Sequence, residues 1–439
     1  MMRSFRAVLP AVMALAAAST TLRAQDSIPK GVFLNGTYDP LRDKLAIVVL
    51  PVAGAFGDSI RTIVQRDLDF SDRFAVLPID TTDASAFRNP GAAGGLNYPL
   101  FARLNAAAIV AVTRIPTGLH VVLHNVSQSQ VVNVEDMRLP TTGLSRDWRL
   151  AVHNASDEIE RWVTGTRGIA ATRISYIRGQ SIRIVDSDGA DEITVPTEPD
   201  VVSPAWSPDG SSIVYNSFGG SPKILLMDLA TGRSRTLLGQ QRNVTYLTPV
   251  FTPDGKTIVY SRSGENGSDL FSISVAGGDT PHRLTSGQGT DNTSPTVSPD
   301  GRRIVFTSGR LGRPELYIMD ADGTNVNVLT DFESSERNYR SDPDWSPDGR
   351  TVAYQERVNG DRFQIRTVRV TGSSPKYLTS EGQNEQPSWA PDARHLVFTS
   401  DRSGQRQLWI LDVESNRVRQ LTHSSGSRLA AWSPRLAVP

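Results

Sequence analysis

Histidine and carboxylate side chains are the groups in this chain that could bind a metal ion or transfer a proton. The six histidines are scattered, at positions 120, 124, 153, 282, 395 and 423. His120 and His124 share one face of a predicted strand. A zinc site needs three or four ligands, and no third ligand is close to this pair in the sequence. The chain also has no cysteine, which excludes disulfides and zinc–thiolate sites.

Two acidic segments and one glycine-rich segment resemble ligand-binding loops only in part. Asp186-Ser187-Asp188-Gly189 and Asp320-Ala321-Asp322-Gly323 begin like calcium loops but lack the full ligand spacing, so hairpin turns explain them better. Residues 90–95 are glycine-rich but lack the Lys-Ser/Thr of a phosphate-binding loop. Gly-x-Ser-x-Gly and His-Glu-x-x-His motifs are absent. We therefore predict no catalytic residue, no cofactor and no metal.

A recurring Pro-Asp-Gly segment organises the C-terminal part of the chain. Trp206-Ser207-Pro208-Asp209-Gly210 returns four times with small changes, and a shortened copy, Trp432-Ser433-Pro434, stands near the C-terminus. The prolines at the Pro208 position of successive copies are at 208, 253, 299, 347, 391 and 434. A period of roughly 40–50 residues is typical of a propeller or a solenoid. Proline, aspartate and glycine each favour a tight turn, so these segments are structural rather than catalytic.

The residues between the copies decide in favour of a β-propeller. Each copy is followed by three further segments with a period of two, which predicts a four-stranded antiparallel blade. The last copy supplies only one strand, and segments at 174–177, 182–186 and 192–195 match the missing three. A sixth blade built from both ends of the region would close the ring and remove its exposed edges. The tryptophan or phenylalanine that stands two residues before the proline is expected to pack between neighbouring blades.

The N-terminal residues indicate export. Arg3 and Arg6 precede a short apolar segment at 7–18, and Leu22-Arg23-Ala24 forms a plausible cleavage site. The apolar segment is too short to span a membrane, although a retained N-terminal anchor is the alternative. We predict a signal peptide at 1–24, cleaved near Ala24, and a flexible tail at 25–43.

Residues 44–165 have the pattern of a small α/β domain. A buried strand at 45–50 precedes a predicted amphipathic helix at 59–70. Three further strands and a second helix at 147–163 follow, which predicts two helices against a mixed sheet. The expected fold is thus two-domain, with this α/β domain followed by a six-bladed β-propeller at 172–439. The formal net charge of zero gives no indication of nucleic-acid binding.

Several segments together carry a family resemblance. Thr164-Gly165-Thr166-Arg167-Gly168 joins the two domains, Thr172-Arg173-Ile174 opens the propeller, and Trp432-Ser433-Pro434 closes it. With the helix sequence His153-Asn154-Ala155-Ser156-Asp157-Glu158, this combination resembles the TolB family, the periplasmic β-propellers of the Tol-Pal system. The resemblance implies a non-catalytic monomer in the periplasm that does not insert into the membrane. It implies binding to the lipoprotein Pal through one propeller mouth and to TolA through the N-terminal segment. It also implies support of outer-membrane integrity and of constriction during cell division.

The loops opposite the Pro-Asp-Gly turns are the candidate Pal-binding surface. They are polar with a few large side chains, as a binding rim should be, although exposure alone also makes loops polar. The candidate residues are Tyr246, Thr248, Asp291, Asn292, Thr293, Tyr339, Arg340, Asn384, Glu385 and Arg428. By the resemblance, Asn292 and Thr293 correspond best to the family's Pal-binding mouth. The candidate TolA-binding residues of the tail are Val32, Phe33, Leu34 and Tyr38.

Two other classes of function remain open from the sequence. Propellers also cover the active sites of some exported peptidases, but this chain lacks a hydrolase domain and a nucleophile elbow. A carbohydrate-binding propeller would need exposed aromatic side chains at the mouth, where only Tyr246 and Tyr339 are available.

Overall fold

A computed structural model describes residues 44–438, except 80–83, 90, 92–94, 287–289, 331–338, 359–361 and 373–374. The predicted signal peptide and the tail residues Val32, Phe33, Leu34 and Tyr38 lie outside the described residues. In the part of the chain that the structure describes, no helix is both long and apolar enough to cross a membrane.

The first structural unit is a five-stranded mixed sheet with helices on both faces. Its strands are β1 (Leu45–Val49), β2 (Phe74–Val76), β3 (Ala108–Ile115), β4 (Gly118–Asn125) and β5 (Gln130–Arg138), in the order β2-β1-β3-β4-β5. The helices are α1 (Gly57–Phe70), α2 (Tyr98–Arg103) and α3 (Arg146–Thr164), with a 3-10 turn at Ala84–Phe87. Strand β1 is parallel to β2 and β3, and the remaining pairs are antiparallel.

The apolar pattern of β1 explains this two-sided packing. Ile47 and Val49 pack in the core formed with α1 and α3, whereas Val48 and Leu50 pack on the opposite face with the residues of α2. A strand covered on both faces has to be apolar at successive positions. Helix α3 begins at the N-cap Ser145, whose hydroxyl accepts a hydrogen bond from Trp148 N at 3.2 Å, and ends at Gly165 with φ of 80°. The two predicted helices are confirmed, and α2 was not predicted.

The second unit consists of six four-stranded antiparallel sheets. Blade 1 contains β9 (Val201–Trp206), β10 (Ser212–Ser217), β11 (Lys223–Asp228) and β12 (Arg233–Leu238). Blade 2 contains β13 (Thr245–Phe251), β14 (Thr257–Gly264), β15 (Gly267–Ser274) and β16 (His282–Arg283). Blade 3 contains β17 (Asn292–Val297), β18 (Arg303–Ser308), β19 (Glu315–Asp320) and β20 (Asn327–Val328). Blade 4 contains β21 (Arg340–Trp345), β22 (Thr351–Val358), β23 (Arg362–Arg369) and β24 (Lys376–Tyr377). Blade 5 contains β25 (Asn384–Trp389), β26 (His395–Ser400), β27 (Gln407–Asp412) and β28 (Val418–Gln420).

Blade 6 joins the two ends of the propeller, as the sequence predicts. Its inner strand is β29 (Ser427–Trp432), and the other three are β6 (Arg173–Arg178), β7 (Ser181–Asp186) and β8 (Ile193–Thr194). Trp432 pairs with Ile174 and Arg428 with Ile177 in an antiparallel register. The Trp432 indole also donates a hydrogen bond to Thr172 Oγ1 at 2.8 Å. The predicted architecture of an α/β unit followed by a six-bladed propeller is therefore confirmed.

The Pro-Asp-Gly segments form the turn between the first and second strand of a blade. In the first copy, Ser211 N donates to Asp209 Oδ1 at 3.0 Å, and Ser212 N donates to Ser207 Oγ at 2.9 Å. Gly210 has φ of 72°, which a glycine adopts without strain. The preceding tryptophan reaches a neighbouring blade, since Trp206 Nε1 donates to Ala431 O at 3.1 Å. Both predictions for this motif are confirmed.

Truncation tests the importance of ring closure. A chain that ends at residue 426 loses β29 and exposes the edge of β6, so we expect a large decrease in the free energy of unfolding. The loss of the Trp432 contacts alone corresponds to about 3–5 kcal/mol. Urea denaturation measures the effect. A matched chain that ends at Leu436 retains β29 and should be close to wild type; equal stability of the two truncated chains would contradict this account.

Candidate partner-binding mouth and central channel

The α/β unit lies on the propeller face that carries the Pro-Asp-Gly turns. The turns between the first and second strands and those between the third and fourth strands lie at the same end of each blade. Among the described residues, the hydrogen bonds and ion pairs between the two units involve this end, as in the contacts of Arg394 with Asp72 O and of Arg417 with Asp69 and Asp72. The opposite mouth of the propeller is not covered by the described part of the α/β unit.

One part of this contact is built around the buried His153 of α3. Its Nδ1 lies 2.8 Å from Asp67 Oδ2, and its Nε2 lies 3.7 Å from Asp186 Oδ2 and 3.9 Å from Asp188 Oδ2. Arg149 pairs with both Asp186 and Asp188, at 3.0 and 2.9 Å. Burial opposes the charge on the imidazole, but the surrounding carboxylates outweigh it and raise the pKa of His153 to about 10.

A second network of the same kind surrounds His395 in blade 5. Its Nδ1 lies 2.7 Å from Asp392 Oδ2, and its Nε2 lies 3.5 Å from Asp72 Oδ2 of the α/β unit. Burial again opposes the charge, but Asp392 and Asp72 outweigh it and raise the pKa of His395 to about 9. Arg417 pairs with the same Asp72 at 2.8 Å. Both histidines are thus protonated at neutral pH and link the two units.

The two networks also have ligand spacings that could fit a metal ion. The possible ligand sets are Asp67, His153 and Asp188, and Asp72, His395 and Asp412. Arginines already neutralise these carboxylates, because Arg149 pairs with Asp188 and Arg394 bonds to Asp412 Oδ1 at 2.8 Å. Buried carboxylates that pair with guanidinium groups favour an ion-pair network over a metal site. His120 and His124 lie away from both networks: His120 contacts Asp136, and His124 contacts the Tyr98 hydroxyl.

Six of the ten predicted mouth residues have side chains that are at least partly accessible. Asp291 is exposed at the start of blade 3, and Thr248, Thr293, Tyr339, Glu385 and Arg428 are partly exposed. Tyr339 packs edge-on against Phe363 with ring centroids 5.4 Å apart, and the Arg357 guanidinium stacks on its ring. Glu385 pairs with Arg406 at 3.2 Å. These residues come from five different blades and form a polar rim with an aromatic anchor.

The other four predicted residues lie inside the blades. Tyr246, Asn292, Arg340 and Asn384 have relative exposures of 1%, 0%, 1% and 0%. Asn292 Nδ2 donates to Asp269 Oδ1 at 3.1 Å, and Asn384 Nδ2 donates to Gln364 Oε1 at 2.8 Å. Arg340 pairs with Glu315 at 2.9 Å and with Glu356 at 2.7 Å. These four buried side chains hold the strands that carry the rim loops. They would affect the binding of a partner at the mouth only through the positions of those loops.

The six inner strands enclose a central channel with a volume of about 350 Å³. Each inner strand contains one non-glycine residue with positive φ, followed by proline or, in blade 6, by alanine. These residues are Ser203, Thr248, Ser294, Asp342, Gln386 and Leu429, with φ between 47° and 57°. The strand register shifts at the same places, so each inner strand carries a β-bulge. Such strain costs about 1–3 kcal/mol per residue and is concentrated at functional sites.

A family comparison agrees with this architecture. The family model described as the TolB beta propeller domain matches residues 160–436. The chain belongs to the TolB β-propeller family. The match covers all six blades and includes the end of α3.

Individual relatives extend the similarity to the TolB α/β unit. The Tol-Pal system protein TolB of Bordetella parapertussis is 27% identical over 403 residues, which cover 89% of this chain and 87% of the relative. The crystal structure of TolB from Acinetobacter baumannii has a TM-score of 0.76 and 25% identity, and the match covers 89% of this chain and 97% of that chain. A chain of the nidogen/laminin complex, with 12% identity and a TM-score of 0.50 over 61% of this chain and 100% of that chain, shares the fold alone.

The buried histidines of this TolB-family chain predict a pH dependence of its stability. Their pKa values in the folded chain, about 10 and about 9, lie above the usual 6.5. Their contribution is therefore complete below pH 6.5, decreases as the pH rises and is lost above about pH 10. We expect His395→Gln to weaken this dependence in thermal unfolding measured from pH 6 to pH 10.

The matched control is His282→Gln, because His282 is exposed on β16. It should leave the pH dependence as in wild type. If the pH dependence were unchanged in both His395→Gln and His153→Gln, this result would contradict the protonated state assigned to the two histidines.

Proposed function

We propose that this TolB-family chain is a non-catalytic periplasmic scaffold of the Tol-Pal system that binds the lipoprotein Pal through the open propeller mouth. The observation that carries the proposal is the placement of the α/β unit on the Pro-Asp-Gly face, which leaves the opposite mouth accessible. The relatives named as Tol-Pal system proteins support the choice of Pal as the partner. The rim residues Asp291, Thr293, Tyr339, Glu385 and Arg428 would make the direct contacts.

The composition of the rim suits a protein partner. Protein interfaces depend mostly on a few aromatic and arginine side chains, surrounded by polar contacts that exclude water. Tyr339 is such an anchor, since it is held by Phe363 and Arg357 but remains partly exposed. The neighbouring Glu385 and Arg406 supply charges of both signs. The buried Arg340 fixes the strand that follows Tyr339, so it would act on binding through the position of the loop.

The N-terminal region is proposed as the contact with TolA. The tail directly precedes Lys44 and β1. The Lys44 ammonium group pairs with Asp72 at 3.1 Å. Asp72 in turn contacts His395 and Arg417 of blade 5. A force or an ordering event on the tail would thus act close to the ionic contact between the two units. Together, the two contacts would support outer-membrane integrity and constriction during cell division.

Calorimetric titration with the soluble domain of Pal tests the binding face. We expect Tyr339→Ala to weaken binding by at least about tenfold, because truncation of an aromatic anchor costs 2 kcal/mol or more. Tyr377→Ala is the matched control: Tyr377 also stacks with an arginine, Arg366, but it lies on the outer strand β24. Equal affinities of the two variants would contradict the proposed mouth contact.

Removal of residues 25–43 tests the tail. We expect loss of TolA binding, measured by calorimetry with the isolated TolA domain, because the tail would supply the contacting Val32, Phe33, Leu34 and Tyr38. Circular dichroism should show that the shortened chain remains folded. TolA binding at wild-type affinity by the shortened chain would remove the tail from the proposal.

A further inference from the structure

The linker between α3 and β6 is held from two sides. On one side, Asp157 Oδ1 of α3 accepts a hydrogen bond from Ala170 N at 2.6 Å, and its Oδ2 accepts one from Ala171 N at 3.0 Å. On the other side, Arg435 near the C-terminus donates to Gly168 O at 2.9 Å. The linker is therefore fixed between a helix of the α/β unit and the last segment of the propeller.

A second buried carboxyl group, that of Glu160, lies beside Asp157. The two residues are three positions apart on α3, so their side chains are neighbours on the helix surface. Asp157 Oδ1 and Glu160 Oε2 lie 2.5 and 2.6 Å from the position that a Cβ on Gly168 would occupy. Asp157 and Glu160 are only 1% and 5% exposed. Two buried carboxyl groups thus share one site against the linker.

The direct cationic partners of this site neutralise only one of the two carboxyl groups. Glu160 Oε1 pairs with Arg73 Nε at 2.8 Å. Among the described residues, no other cationic side chain pairs with Glu160, and none pairs with Asp157. The more distant charged groups that face the pair are of both signs: Arg167, His395, Asp67 and Asp392. Adjacent buried carboxylates repel each other, so the site favours one bound proton.

Burial favours the neutral form of both groups. It raises the pKa of Asp157 to about 7, although the backbone amides of Ala171 and Ala170 oppose this change. It raises the pKa of Glu160 to about 8, although Arg73 opposes this change, and the charge of Asp157 adds to the increase. Asp157 ionises first because two amides donate to it. Glu160 therefore keeps its proton to higher pH.

A small cavity beside Glu160 limits how the ionised site can be solvated. Its volume is about 10 Å³, and it lies between Glu160, the linker residues Ile169 and Ala170, and the charged Asp188 and Arg419. A cavity of this size holds at most about one water molecule. A carboxylate can accept about four hydrogen bonds, so one water molecule does not replace the solvation that a second carboxylate needs. Full solvation requires the linker to move away from α3.

We infer that Asp157 and Glu160 form a proton-binding site that controls the linker: the bound proton keeps the linker on α3, and its loss releases the linker. The α/β unit is then held less firmly on the propeller as the pH rises. His153 and His395 lose their protons at still higher pH. The inference concerns the joint between the two units and does not depend on the partner at the mouth.

Hydrogen exchange of the Ala170 and Ala171 amides in the mature chain tests the inference. Exchange rates divided by those of an unstructured peptide at the same pH give protection factors that are free of the chemical effect of pH. The closed site binds a proton that the open site releases, so each pH unit can lower protection by up to about tenfold. We expect a decrease of at least about tenfold between pH 6 and pH 8. Equal protection factors at both pH values would overturn the inference.

A neutral variant assigns the effect to the carboxyl pair. Glu160→Gln keeps the size of the side chain and resembles the protonated acid, so its protection factors should be the same at pH 6 and pH 8. Glu135→Gln, the same change at an exposed position of β5, should show the wild-type decrease. Both interface histidines remain in Glu160→Gln, so a decrease that persists in this variant would belong to them and would overturn the inference. The wild-type measurement needs no variant, so a variant that fails to fold cannot conceal the result.

Discussion

The antiparallel pairing of β29 with β6 is the contact on which the rest of the propeller depends. A blade cannot bury both faces alone, so the ring is stable only when every blade packs between two neighbours. The last strand of the chain closes the ring through hydrogen bonds to β6 and through Trp432, which reaches Thr172. Closure also fixes the diameter of the channel, because six inner strands meet around one axis. The positions of the rim residues and of the residues that line the channel follow from this ring.

Electrostatic contacts at one end of the ring give the propeller two different faces. The α/β unit is attached through buried ion pairs, in which His153 and His395 each lie between carboxylates. Buried charges of this kind contribute little net stability but strongly disfavour wrong geometries, because an unpaired charge in the interior is costly. The result is a fixed orientation of the α/β unit on the Pro-Asp-Gly face. The described part of the α/β unit leaves the opposite face uncovered, as the proposed function as a scaffold with two partners requires.

Local sequence signals predicted the fold well and the site only in part. The spacing of the Pro-Asp-Gly turns and the alternation of the strands specify the blades, since both depend on neighbours in the chain. Helix α2 was missed because six residues are too short for a clear helical period. The sequence analysis also assigned Asn292 and Arg340 to the mouth but did not predict that they are buried. Their burial depends on side chains of other strands, which local sequence patterns do not reveal. The His153 and His395 networks join residues far apart in the chain, and only the Asp392-Ala393-Arg394-His395 departure from the repeat could have indicated one of them.

Hydrogen exchange of the mature chain with and without the soluble domain of Pal tests the central claim most directly. The proposed function predicts slower exchange in the loops around Asp291, Tyr339, Glu385 and Arg428 when Pal is bound. It predicts little change at the Pro-Asp-Gly turns, which lie at the other end of the blades. Protection confined to those turns or to the α/β unit would contradict the claim that Pal binds the open mouth.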